Sequence, residues 1–145
     1  MNSKNKIYLY PLLLMGVLFM FLTNPAGHCY GQTSQEYFKK GMAKKDRKNY
    51  KGAMADFNKA IELNPQFAEA LLGRAIVKAH WDNYQGAIAD CSKAIEIDSL
   101  SADAYYIRGF TKLRMKLFDS GCSDLSKAEK LGNAEASEVI KKHCK

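Results

Sequence analysis

Catalysis needs polar groups that converge on one point, and this sequence offers few candidates. Its three histidines, His28, His80 and His143, are scattered along the chain. No serine or cysteine has a base at a pairing interval, no glycine-rich loop could cradle a phosphate, and no Cys/His cluster has metal-ligand spacing. The residues point to a protein that is not an enzyme and takes no cofactor and no metal. The cysteines say more. Cys122 and Cys144 stand ten residues before and eleven after Gly132-Asn133, a pair that reads as a turn. Across a helical hairpin, residues equidistant from the turn lie at one height, so an oxidising compartment would join them as a disulfide. Such a bond would contribute about 3 kcal/mol by restricting the unfolded chain. Two separate reduced thiols are the alternative.

A second recurring set is Lys40, Asp56, Arg74, Asp90, Arg108 and Asp124, spaced alternately by 16 and 18 residues. On antiparallel helices that alternation places basic and acidic groups at one level through a stack. Partly buried charges must find partners, so the expectation is ion pairing between successive helices rather than catalysis.

The elements that position these groups are repeats. Three stretches begin at Tyr50, Tyr84 and Phe118, 34 residues apart. Asp56, Asp90 and Asp124 recur in them, as do Ala60, Ala94 and Ala128. Upstream, Tyr37, Leu71 and Tyr105 align, and so do Gly41, Ala75 and Gly109. Period and residues together resemble the tetratricopeptide repeat family, with Tyr37, Gly41, Ala53, Phe57, Ala60 and Pro65 at its hallmark places in the first repeat. Cys91 and Leu125 stand where Phe57 does, and Cys91 reads as a buried free thiol. The resemblance implies an all-α fold, a right-handed α-solenoid of three antiparallel helix pairs. Its repeats would span about 34–67, 68–101 and 102–135, with a C-terminal capping helix over about 134–144. One helix pair cannot bury its apolar faces alone, so the repeats must stack.

In that family the first helix of each repeat lines a concave groove. Carried onto this chain, the resemblance implies a protein-binding groove of Phe38, Met42 and Lys45, then Leu72, Ile76 and His80, then Tyr106, Phe110 and Arg114. Gln35, Glu69 and Asp103 fall at its second repeat position. The centre is apolar and Lys45, His80 and Arg114 form the rim; an exposed patch of that kind marks an interaction site. Chaperone-binding members grip a terminal carboxylate with Lys, Asn and Arg, but Phe38, Met42, Gly73, Asp103 and Ile107 hold those places here. The expected function is a non-catalytic scaffold or adaptor for a protein or peptide segment. The alternative is a structural module that self-associates through the same surface as an oligomer.

The N-terminus has a different composition. Lys4 and Lys6 precede an uncharged run from Ile7 to Leu22, followed by Asn24, Pro25 and Gly27. A membrane span needs about 20 apolar residues. The shorter run reads as a secretory signal peptide over 1–31, leaving a repeat domain over 32–145 that is periplasmic or extracellular. An uncleaved anchor is the alternative, and a lipid anchor at Cys29 is disfavoured because His28 stands where a small residue is required. Loss of Lys4 and Lys6 lowers the net charge from +7 to +5. The remaining lysines alternate with helix-forming residues and read as a solvated face, with no nucleic acid partner and no membrane contact beyond the signal.

Overall fold

The structure, a computed structural model, describes residues 33–144 in full and only the backbone of residues 26–32. The expected signal segment 1–31, its cleavage after Gly31 and the alternative at Cys29 lie outside the fully described residues. The elements are α1 (Ala26–Asp46), α2 (Tyr50–Leu63), α3 (Ala68–His80), α4 (Tyr84–Ile97), α5 (Ala102–Arg114), α6 (Phe118–Lys130) and α7 (Ala134–His143). No strand occurs among the described residues. Each helix packs on the next, and α1, α3, α5 and α7 also touch in succession. That is the expected solenoid of three pairs and a cap. The helix α1 begins at Ala26, ahead of the repeat boundary expected at Ser34.

The turns within pairs repeat with the sequence. Lys48, Asp82 and Lys116 adopt φ of 61°, 57° and 62°, a left-handed conformation uncommon for side-chain-bearing residues. The two following asparagines, Asn49 and Asn83, cap α2 and α4 by accepting from the amides of Gly52 and Gly86 at 3.0 Å. Leu117 takes that place in the third repeat and gives α6 no side-chain cap. Between α6 and α7 the chain reverses through Gly132 at φ +98°, where glycine carries no steric penalty.

The core changes character along the stack. Phe57 is fully buried, and its ring lies so close to α1 and α3 that a Cβ on Gly41 or Gly73 would come within 2.7 Å of it. The equivalent Cys91 is also fully buried and free, packed with Ala75, Ala87 and Ile107. Ile107 is the repeat equivalent of Gly73, so the smaller thiol and the larger isoleucine exchange volume. Burial pushes the Cys91 thiol up to about 12, which keeps it neutral. In the third pair, Gly109 and Gly121 bring α5 and α6 together: a Cβ on Gly109 would meet the Gly121 carbonyl at 2.8 Å. Leu125 there packs with Ala128 and Ala136, linking the pair to the cap.

The charge ladder forms within repeats but does not continue between them as expected. Arg74 donates to both oxygens of Asp90 at 2.8 and 2.7 Å, and Arg108 does the same to Asp124. Across each repeat boundary, however, Arg74 donates to Asn58 Oδ1 at 2.9 Å and Arg108 to Ser92 Oγ at 3.1 Å. The carboxylates are already committed to two cations of their own repeat, since Lys78 and Lys112 reach Asp90 and Asp124 at 2.8 and 2.7 Å. In the first repeat Lys40 is not Asp56's partner. Lys44 reaches Asp56 at 2.7 Å instead, close but poorly aligned as a hydrogen bond, while Lys40 lies over the Tyr37 ring. Burial opposes ionisation of Asp124, yet hydrogen bonds from Arg108 and Lys112 and their charges prevail, holding its carboxyl below its ordinary range.

The cap is held from one side by apolar contacts of Val139 and Ile140 with the Leu125 cluster. At its far end Cys144 meets Cys122 of α6, with Cα atoms 5.7 Å apart and the two sulfurs in bonding contact.

Candidate functional site

The concave surface is built by α1, α3, α5 and α7, the helices that touch in succession on one side of the stack. Two hollows indent it. One, of about 340 Å³, lies between α3 and α5 and is lined by Ile76, Ala79, His80, Tyr106, Phe110 and Arg114, among others. The second, of about 390 Å³, is lined by Phe38 and Met42 from α1, Leu72 and Ile76 from α3, and Tyr106 from α5. Ile76, Tyr106 and Ile107 belong to both, so the two are halves of one groove. Eight of the nine expected groove residues therefore meet on this surface; Lys45 lines neither half and lies 3.5 Å from Asp46.

The eight are not equivalent. Ile76 and Phe110 are 37% and 40% exposed, a large fraction for aliphatic and aromatic side chains in a groove floor. The Tyr106 ring stacks with Phe110, centroids 6.2 Å apart. Phe38 instead packs on Phe67 and Phe57 at 5.0 and 6.1 Å, and Met42 and Leu72 also lean on core clusters. These three belong partly to the core.

The rim groups are engaged as well. His80 stacks on Tyr50 of the preceding repeat at 3.9 Å between centroids. Arg114 repeats that relation one step on: its guanidinium lies 5.6 Å from the Tyr84 ring centroid and donates to Tyr84 Oη at 3.0 Å. The Tyr84 hydroxyl in turn donates to Asp82. His80 and Arg114 thus each fasten their repeat to the previous one, the Arg114 cation–π contact being worth about 0.5–1 kcal/mol at an exposed site.

The opposite edge carries Glu69, Asp103 and Glu135, all exposed and all lining the second hollow. They sit in the first turns of α3, α5 and α7, where the helix dipole favours a carboxylate. Asn133 donates to Asp103 Oδ1 at 3.1 Å. Tyr106 is raised in pKa by burial and then by Glu135 beside it. Glu135 and Asn133 come from the cap, which a list of positions within repeats does not include. Their signal in the sequence is the cap's place as a fourth helix of the groove-lining series. Among the described residues no group of three or more His, Cys, Asp or Glu could hold a metal ion, and no helix is long and apolar enough to cross a membrane.

The family model of the tetratricopeptide repeat matches residues 37–67, covering α1 after Glu36, all of α2 and the turn to α3. That stretch is a tetratricopeptide repeat by this match, and the fold around it is that of a tetratricopeptide repeat domain. The fold is similar to the first tetratricopeptide repeat domain of Spaghetti (RPAP3), solved bound to the HSP90 peptide SRMEEVD. That match has a TM-score of 0.75 and 20% identity, and covers 78% of this chain and 91% of that one. The Arabidopsis OM64 repeat domain matches with TM-score 0.73 and 26% identity over 79% of this chain and 98% of that one. The TPR2B domain of yeast Sti1, from its pHsp70 complex, matches with TM-score 0.71 and 23% identity over 76% and 92%. Among curated proteins none matches this sequence.

Proposed function

We propose that this tetratricopeptide repeat protein is a non-catalytic scaffold that holds an apolar or amphipathic segment of a partner protein in its groove, outside the cytoplasm. The observation that carries the reading is the exposed floor, with Ile76 at 37% and Phe110 at 40% open to solvent beside Tyr106 and Leu72. Apolar surface of that kind, rimmed by polar groups, gains free energy when a partner covers it. Similar domains from Spaghetti and yeast Sti1 were solved with a peptide and with pHsp70 respectively, which supports a peptide-sized occupant. Export is supported by Lys4, Lys6 and the uncharged run after them, and the approach of Cys122 to Cys144 suits an oxidising compartment.

Site-specific photocrosslinking from position 110 in the producing cells tests the scaffold reading. The expected product is a covalent adduct with a different protein, lost when Ile76 is also changed to Glu. Adducts only between copies of this chain would replace the reading with self-association. No adduct at all from a folded variant would remove the groove as a docking surface.

A further inference from the structure

Given the groove as the docking surface, we infer that its occupant is a cationic segment, with bulky apolar side chains on the floor and lysine or arginine against Glu69, Asp103 and Glu135. The two long edges of the groove differ in kind. On the edge where α3 and α5 end, His80 and Arg114 are occupied by Tyr50 and Tyr84. On the edge where α3, α5 and α7 begin, three exposed carboxylates line the second hollow. No lysine or arginine among the described residues lies within ion-pair distance of any of them. This contrasts with the rest of the molecule: Asp56, Asp90 and Asp124, each with a lysine and two with an arginine, show how readily the same chain pairs its carboxylates.

The chain as a whole is positive, with a net charge of +7. A local acidic edge on a basic protein steers the site toward a ligand that the overall field would repel. Like charges opposed across an interface are costly, so an acidic peptide is rejected at this edge while a basic one is accepted. The apolar floor supplies the affinity and the acidic edge the choice of partner and its direction in the groove.

The test uses the full-length protein and two synthetic fluorescent peptides. Both carry the same leucine and phenylalanine residues, flanked in one by lysines and in the other by glutamates. Anisotropy at low salt should show the lysine peptide binding at least tenfold more tightly, with the preference shrinking as salt rises. The triple variant Glu69→Gln, Asp103→Asn, Glu135→Gln should lose the preference yet keep binding, because its floor is unchanged. Equal binding of the two peptides, or tighter binding of the glutamate peptide, overturns the charge inference. If Phe110→Glu still abolishes that binding, the groove reading survives alone. Failure of both peptides to bind, or indifference of both to Phe110→Glu in a folded protein, counts against the groove and the inference together.

Discussion

The first repeat boundary and the C-terminal end solve the same packing problem with different chemistry. At the boundary a whole phenylalanine ring, Phe57, fills the space that Gly41 and Gly73 leave open. Its ion pair is a single lysine on Asp56. At the C-terminal end the helices approach through Gly109 and Gly121, and Leu125 leaves less apolar volume to bury. There the links are polar, Arg108 and Lys112 on Asp124 and Asn133 on Asp103, and Cys122 lies against Cys144 with Cα atoms 5.7 Å apart. A short array loses neighbours at its ends, and this one adds directional bonds at its C-terminal end to the apolar contacts of the Leu125 cluster.

Phe57→Ala should have the largest effect, a loss of about 3–5 kcal/mol in urea unfolding, because it opens a cavity between two glycines that cannot fill it. Hydrogen exchange should quicken in α1, α2 and α3 more than in α7. Equal loosening of the cap would break the contrast between the two ends. Next, reduction of Cys122 and Cys144, or Cys122→Ser, should cost about 3 kcal/mol in the chain-entropy model for a loop of this size. Exchange should then quicken in α6 and α7 while Phe57's surroundings stay protected, and non-reducing peptide mapping should find Cys91 free in the untreated protein. A linkage through Cys91, or no response to reductant, would defeat this account of the C-terminal end. The smallest effect is a gain. Leu117→Asn should restore the cap that Asn49 and Asn83 provide elsewhere, raising stability by about 1 kcal/mol. The leucine is 46% exposed, so little burial is given up. A fall in melting temperature would mean that Leu117 packs in a way its exposure conceals.

The repeat period made most of the fold legible, since 34-residue spacing fixes which small and large residues face each other. The 16-residue pairs Arg74–Asp90 and Arg108–Asp124 were legible for the same reason. Lys44, Lys78 and Lys112 also recur at 34, and that spacing did not single them out as the second cations that reach Asp56, Asp90 and Asp124. Lysine is common on solvated faces, so its period carries little contrast. The exchange of Cys91 with Ile107 was hidden because it depends on contacts across a repeat boundary. In the groove, repeat position placed eight residues of α1, α3 and α5 along the two hollows and misplaced Lys45. The double duty of Phe38, Met42 and Leu72 was not legible, because a helix face that borders both core and solvent has no sharp edge in sequence. Glu135 was missed because it comes from the cap.

The meeting of Cys122 and Cys144 also has a mechanical side. A disulfide between those sulfurs would pass tension applied to the chain beyond Cys144 straight into α6 near its first turns. The helix α7 then lies off the load path, a closed loop that cannot be peeled away from the end.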